Sequence, residues 1–123
     1  MSMCPCRSGV SYAECCRPFH NGSALPPTAV RLMRSRYAAF ALRNKDYLLA
    51  TWHPSTRPRS LDLDPAPRWT DLQIVSTSGG GLLENRGTVE FRATYRVGRH
   101  IGEQHENSRF VRSDGSWFYV GAI

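Results

Sequence analysis

The chain has 123 residues, a length that suits one domain able to bury about two-thirds of its unfolded surface. Sixteen basic residues, fifteen of them arginine, stand against ten acidic ones and give a net charge of +6. The arginines are spread along the chain without a block of like charge, which disfavours a dedicated nucleic-acid binder. No apolar run approaches the ~20 residues that cross a bilayer, and residues 1–10 do not have the hydrophobic pattern of a signal segment. We therefore expect a cytoplasmic protein without a membrane partner.

All of the cysteines lie close to the start of the chain, at Cys4, Cys6, Cys15 and Cys16. Four thiolates are the ligand set of a closed structural zinc site, which leaves no open position for water. The sequence therefore predicts a structural Zn²⁺ in a short knuckle that is an appendage to the main domain. Iron or an iron–sulfur cluster would use the same ligands, and a pair of disulfides is a further alternative. The lack of a secretory signal favours metal over disulfides.

The spacing Cys-x-Cys-x8-Cys-Cys, with Pro5, Ser8, Gly9 and Tyr12 between the cysteines, resembles the SEC-C motif. That motif is the zinc-binding tail of the bacterial preprotein-translocation ATPase. Further segments resemble the bacterial YchJ-like family, namely Met33–Tyr37, Asp46–Leu48, Thr51–Thr56, Gly87–Phe91 and Ser108–Phe110. The resemblance implies an SEC-C motif at residues 1–22 and a domain similar to nuclear transport factor 2 at residues 28–123. The resemblance thus implies how the chain folds but does not imply a biochemical activity.

The knuckle departs from the usual SEC-C pattern at Arg7, where glycine is common, and at Val10, where lysine is common. If the glycine provides a left-handed backbone, Arg7 introduces strain there. A partner that contacts the lysine would lose that contact. SEC-C tails resemble protein-recognition knuckles, so the resemblance implies a protein partner for the loop from Arg7 to Glu14. His20, which follows in a predicted loop, is not expected to bind the metal because four cysteines already complete the site.

Two helices are expected before the sheet. Thr28 is a good N-cap for a helix from Ala29 to Arg43, over which apolar residues recur at helical spacing. Arg36 and Tyr37 lie at the border of the apolar stripe, where we favour side chains that snorkel to solvent over side chains that point into a cavity. A second helix is predicted from Tyr47 to about Trp52, and it ends before Pro54.

The second half of the chain predicts four strands, at residues 69–77, 88–97, 103–112 and 117–122. Asp114-Gly115 is a hairpin signal between the last two strands. In the second strand Val89, Phe91 and Ala93 alternate with polar residues, which is typical of a half-buried antiparallel strand. Two helices and a four-stranded meander indicate the α+β class. By the resemblance, the sheet curves around the helices into a cone with a cavity, as in cystatin-like and nuclear transport factor 2-like folds.

The third strand carries polar residues on both faces, which suggests a polar pocket. Its candidate lining is Tyr37, Trp52, His53, Glu90, Arg92, His105 and Arg109. Such a cluster could perform acid–base chemistry, because histidine titrates near neutrality and a buried carboxyl can serve as a base. The alternative is cross-strand ion pairing of Glu90 or Glu106 with Arg92 or Arg109 on a solvated face of the sheet. No ordered nucleophile–base motif appears, and Gly79–Gly81 lacks the lysine and serine of a phosphate loop, so no catalytic residue is assigned.

Two functions remain open at this point. The first is a zinc-containing adaptor that binds a protein partner through its knuckle and is not an enzyme. The alternative is a small-molecule-binding or isomerase-like protein with a pocket in the cone. A cone filled by Phe91, Tyr95 and Phe110 would exclude the alternative. A homodimer is a further expectation, which comes from the resemblance alone.

Overall fold

A computed structural model describes residues 2–123 and places the helices before a single antiparallel sheet. The elements are a 3-10 turn at Tyr12–Glu14, α1 at Arg17–His20, α2 at Ala29–Leu42, α3 at Lys45–Ala50, β1 at Arg68–Gly79, β2 at Arg86–Val97, β3 at His100–Ser113 and β4 at Ser116–Ala122. The strand order is β1-β2-β3-β4, so the predicted α+β meander is confirmed. Within the described residues, no helix has the length and apolar character of a membrane span.

Side-chain caps set the starts of the two longer helices. Thr28 Oγ1 accepts a hydrogen bond from Arg31 N, and Asn44 Oδ1 accepts one from Tyr47 N, each at 3.2 Å. Arg43 adopts a left-handed conformation, with φ of 57°, and ends α2. The chain can therefore reverse between α2 and α3 within two residues. The segment that follows His20 is loop as expected, but Arg17–His20 forms a short helix instead of a loop.

The register between β2 and β3 decides which residues face the helices. Val89 pairs with Ser108, Phe91 with Glu106, and Ala93 with Gln104. Because direct cross-strand partners share a face, these side chains line the face that α2 covers, called here the concave face. Their neighbours along each strand therefore lie on the outer face. Irregularities in the β1–β2 and β3–β4 pairings interrupt the ladders, and such bulges increase the local twist of a sheet.

The main hydrophobic core lies between α2 and the concave face, and it includes the four cysteines. Leu32 of α2 and Val89 of β2 are fully buried there. Trp117 of β4 is buried too, and its Nε1 donates a 3.2 Å hydrogen bond to the Pro27 carbonyl oxygen. The knuckle thus shares one core with the rest of the chain, and the expectation of an appendage is wrong. The physical reason is that the four sulfurs are apolar surface that α2 and the sheet help to bury.

Tyr95 does not close the cone, although its strand parity places it on the concave face. Its ring covers Gly102 on β3, where an added Cβ would come within 2.3 Å of Tyr95 Cζ. The ring also packs edge-on against Trp69, at a centroid distance of 5.5 Å. Glycine is therefore required opposite Tyr95, and the aromatic side chain lies at the end of the sheet.

Candidate functional site

The four cysteine sulfurs form one compact cluster, with all ligand atoms within 4.8 Å of one another. Cys15 Sγ lies 3.6 Å from Cys6 Sγ and 3.9 Å from Cys16 Sγ. A tetrahedral ion with metal–sulfur bonds of about 2.3 Å would place its sulfurs about 3.8 Å apart. The four residues are free cysteines and are buried. Their donor set and spacing therefore fit a single four-coordinate metal ion.

The thiols of the cluster differ in their pKa values. Hydrogen bonding from Cys16 lowers the pKa of the Cys6 thiol to about 4. Burial raises the pKa of Cys4 to about 11, and the hydrogen bond to Cys6 raises the pKa of Cys16. The cluster alone thus favours one thiolate with protonated neighbours. Four thiolates at these distances need a positive ion between them, because like charges disfavour one another's ionised forms.

A tight backbone turn brings the first two cysteines beside the second pair. Cys4 N donates a 2.8 Å hydrogen bond to the Val10 carbonyl oxygen, and Arg7 N donates one to the Cys4 carbonyl oxygen. Arg7 has a φ of 65°, which lies in the left-handed region. The expectation of a left-handed backbone at Arg7 is therefore confirmed, and a non-glycine residue there stores strain of roughly 1–2 kcal/mol.

Polar contacts join the knuckle to α2. Arg34 Nη1 donates a 2.9 Å hydrogen bond to the Cys6 carbonyl oxygen. The His20 ring accepts a 2.7 Å hydrogen bond from Tyr12 OH at Nδ1, and its Nε2 donates a 2.8 Å bond to the Ser35 carbonyl oxygen. Burial lowers the pKa of His20, which agrees with this neutral tautomer. Both ring nitrogens are engaged by protein atoms, so neither is available to a metal.

A cavity of about 140 Å³ separates α2 from the concave face of the sheet. Its apolar wall includes Met33, Phe40, Phe91 and Phe110. Its polar lining includes Arg36, Gln104, Glu106 and Ser108. Phe91 and Phe110 thus form part of the wall and do not fill the space between α2 and the sheet.

Arg36 is the charged residue of α2 in the cavity wall, and only 5% of its surface is exposed. Its Nη1 donates to the Leu48 carbonyl oxygen at 2.8 Å and to Thr51 Oγ1 at 2.7 Å. The guanidinium carbon lies 4.6 Å from the centre of the Tyr119 ring and 5.3 Å from that of Trp52. Burial lowers the pKa of Arg36 to about 10, so the group stays charged at neutral pH. The expectation that Arg36 snorkels to solvent is wrong, because α3 and β4 cover it.

Glu106 faces the same cavity from β3. Its Oε1 accepts hydrogen bonds from Ser108 Oγ at 2.7 Å and from Tyr119 OH at 3.1 Å. Its Oε2 accepts one from Gln104 Nε2 at 3.1 Å. Burial and the nearby Glu106 charge raise the pKa of Tyr119 to about 12, so this phenol is a hydrogen-bond donor at neutral pH. Three neutral donors therefore orient the carboxylate without neutralising it.

The structure brings only part of the predicted pocket together. Tyr37 and Trp52 line the cavity, and the Tyr37 hydroxyl and Trp52 Nε1 are buried without a hydrogen-bond partner among residues 2–123. The other five predicted residues lie outside that lining, namely His53, Glu90, Arg92, His105 and Arg109. His105 Nε2 pairs with Glu90 Oε2 at 2.6 Å, and side chains of both reach solvent. Glu90 therefore makes a cross-strand pair on a solvated face, but with His105 in place of the expected Arg92 or Arg109.

Strand parity distinguishes Glu106, which the predicted lining omits, from Glu90, which it includes. Glu106 is four residues from Phe110, and Glu90 is adjacent to Phe91, so only Glu106 shares a face with a buried phenylalanine of its own strand. Arg92, His105 and Arg109 fall on the outer face by the same rule. His53 lies beside β4, where its ring packs edge-on against Phe118 at 5.8 Å. The buried phenylalanine of each strand marks the concave face, and this signal in the sequence identifies Glu106 as a residue of that face.

Known proteins are similar to this chain in sequence and in fold. A family model described as the middle nuclear transport factor 2-like domain of YchJ matches residues 28–122. A UPF0225 protein of Streptomyces coelicolor is 54% identical over 117 residues, which cover 95% of this chain and 91% of that protein. A UPF0225 protein of Chromobacterium violaceum is 47% identical over 124 residues, covering 98% and 91%.

Two solved structures of SEC-C motif-containing proteins superpose on nearly the whole chain. The solution structure from Rhodopseudomonas palustris has a TM-score of 0.85 at 34% identity and covers 98% of this chain and 96% of that one. The crystal structure from Psychrobacter arcticus has a TM-score of 0.80 at 29% identity and covers 95% and 79%. The resemblance seen in the cysteine spacing and the later segments is confirmed, and the chain belongs to the YchJ-like family of UPF0225 proteins.

Proposed function

We propose that this protein binds a small organic molecule in the cavity between α2 and the sheet, and that a structural zinc ion in its knuckle holds α2 in place. The observation that supports binding is the convergence of a buried guanidinium and an oriented carboxylate on an otherwise apolar space of about 140 Å³. An apolar cavity with a few convergent polar groups is the usual form of a ligand site. The proposal assigns binding and no reaction.

The size of the cavity supports a ligand role over a packing defect. Its volume is close to that of an engineered cavity of about 150 Å³ that binds benzene in another protein. An empty space of this size lowers the stability of a folded chain by on the order of 3 kcal/mol. Larger side chains at Ala93 or Ser108 would fill it. Retaining the space is easier to understand if a ligand occupies it.

The knuckle's chemistry supports zinc as the metal. Tetrahedral coordination by four thiolates suits zinc or iron, and the sulfur spacing fits one ion in the centre. Bound zinc would supply two positive charges that keep all four thiols deprotonated. Cys4, Cys6, Cys15 and Cys16 would hold it with no position left for substrate, so its role in this proposal is structural.

Native mass spectrometry of gently purified protein, combined with one cavity-filling variant, tests the proposal. Ala93 lines the cavity, and Ala93→Leu should fill it. Thr94→Leu, on the outer face of the same strand, is the matched control. We expect wild type and Thr94→Leu to retain one zinc and an organic ligand, and Ala93→Leu to retain zinc alone. Equal ligand retention by all three proteins would contradict binding in this cavity.

A protein partner for the knuckle is a second candidate function, motivated by the surface of the loop at residues 7–14. The cysteines on either side of this loop are buried, whereas Arg7, Val10 and Glu14 are exposed, with Val10 at 42%. The test is partner capture with wild type and with an Arg7→Glu, Glu14→Lys variant that still holds one zinc. Loss of a partner by the variant alone would support this candidate, and unchanged partners would count against this surface.

A further inference from the structure

We infer that the ligand of the cavity is a small monocarboxylate whose charged group pairs with Arg36 and whose apolar body lies against Phe91 and Phe110. The inference rests on the proposed binding function and names its ligand class. Three observations support it: the charges of Arg36 and Glu106 beside the cavity, the hydrogen-bond donors of Arg36 that have no acceptor within the described residues, and the volume of the cavity.

Arg36 is a buried cation without an anionic partner. Among residues 2–123, no carboxylate oxygen lies within 4.0 Å of its guanidinium. Its neighbours are a carbonyl oxygen, a hydroxyl and two aromatic faces, which accept hydrogen bonds or attract a cation but carry no full negative charge. Buried charges in proteins are ordinarily paired. A ligand carboxylate in the cavity would supply the missing charge.

The hydrogen bonds of Arg36 leave room for that partner. Both of its hydrogen bonds within the described chain are made by Nη1, so Nε and Nη2 have no acceptor there. A guanidinium presents its donors as a planar fork that matches the two oxygens of a carboxylate. The guanidinium carbon also lies over the Tyr119 ring at 4.6 Å and over the Trp52 ring at 5.3 Å, so two aromatic contacts add to the hydrogen bonds that position the group. The donor geometry is therefore set before a ligand arrives.

Glu106 limits the ligand to one negative charge. It faces the same cavity as Arg36 but lies beyond ion-pair distance of the guanidinium. Three neutral donors hold its oxygens in the wall, and among residues 2–123 no cationic side chain lies within 4.0 Å of them. A dicarboxylate or a phosphate dianion would bring a second charge close to Glu106. A monoanion completes one ion pair and avoids that repulsion.

The walls define the rest of the molecule. Phe91, Phe110 and Met33 give the cavity an apolar lining, and its volume of about 140 Å³ accepts a body near the size of a benzene ring. Benzoate is therefore the matched probe. Benzamide has the same shape without the charge, benzylammonium reverses the charge, and phthalate adds a second carboxylate.

The test is titration of the full-length, metal-loaded protein with these four probes, followed by ligand-observed NMR and calorimetry. We expect benzoate to bind at least about tenfold more tightly than benzamide, the scale of one charge-assisted hydrogen bond. Phthalate and benzylammonium should bind more weakly than benzoate. In Arg36→Met the preference for benzoate over benzamide should disappear, while Arg31→Met, at an exposed arginine of the same helix, should keep it.

The outcomes separate this inference from the binding function itself. Equal affinity for benzoate and benzamide, or a preference for benzylammonium, would overturn the carboxylate inference and leave cavity binding intact. Failure of the wild type to bind any probe at millimolar concentration would overturn both. If Arg36→Met does not fold, Arg36→Lys replaces it: it keeps the charge without the fork, so a weakened but surviving preference for benzoate supports the inference and an unchanged preference opposes it.

Discussion

Arg34 of α2 donates a hydrogen bond to the carbonyl oxygen of Cys6, a residue of the four-cysteine cluster, across 2.9 Å. The partners are 28 residues apart in the chain. This contact, together with the shared core, makes the knuckle part of the domain. The energetics of the cysteine cluster should therefore appear in the stability of the whole chain.

The first prediction concerns Cys6. We expect Cys6→Ser to lower the free energy of unfolding by more than about 3 kcal/mol, in the range of changes that remove a structural metal site. Urea unfolding, followed by tryptophan fluorescence and by far-UV circular dichroism, should show one shared transition. Ser2→Ala, at an exposed residue beside the knuckle, is the control. A sheet that unfolds at the wild-type midpoint in Cys6→Ser would show that the knuckle is energetically separate.

The second prediction uses the left-handed backbone at Arg7. Arg7→Gly should raise the free energy of unfolding by roughly 0.5–1 kcal/mol, because relief of the Cβ strain exceeds the added flexibility of glycine in the unfolded chain. Arg7→Ala removes the same charge but keeps the Cβ, so it should give no such gain. Urea midpoints of the three proteins measure the effect. An equal gain in Arg7→Ala would attribute it to charge instead of backbone geometry.

The third prediction concerns the close approach of Tyr95 to Gly102. Gly102→Ala should destabilise the protein by roughly 1–3 kcal/mol, since its Cβ would overlap the ring and force a local shift. In a Tyr95→Ala background the same change should be nearly neutral. Thermal unfolding of the four proteins completes this double-mutant cycle. A similar loss in both backgrounds would place the cause in the backbone of β3.

The fourth prediction concerns pH and the outer face of the sheet. Hydrogen bonds from His105 and Ser76 lower the pKa of Glu90 below its ordinary value of 4.5. A depressed carboxyl pKa adds stability above the pKa of the unfolded chain, and that stability is lost as the pH falls through the folded pKa. NMR titration should find the Glu90 carboxyl below 4.5 in wild type and closer to 4.5 in His105→Ala. The same pKa in both proteins would contradict a role for His105.

Local signals predicted most of the fold. The Thr28 cap, the alternation around Phe91 and the Asp114-Gly115 turn are contained in short segments, and α2, β2 and the β3–β4 hairpin that they mark appear close to their predicted positions. The cysteine spacing likewise indicated one cluster of four ligands, and the sulfurs converge as expected. These features depend on neighbours in sequence, which is why the sequence alone reveals them.

The cavity depends on contacts between distant segments. The periodicity of α2 places Arg36 at the border of the apolar stripe. Contacts with Leu48 and Tyr119, which are distant in sequence, bury it. The docking of the knuckle similarly needs the contact between Arg34 and Cys6. The position of Glu106 on the concave face could have been predicted from the sequence, because it lies an even number of residues from Phe110 on the same strand. Its contact with Tyr119 could not. Periodicity describes one element at a time, whereas the cavity is lined by α2, all four strands and Trp52 after α3.

Helix α2 meets the knuckle through Arg34 and Ser35 and meets the cavity through Met33, Arg36 and Tyr37. The same turn of α2 is therefore held by the knuckle on one side and lines the cavity on the other. A wall immobilised in this way has little conformational freedom left to lose when a molecule enters. Association should then proceed at a rate set by access to the cavity, with the backbone of α2 unchanged between the free and the bound protein.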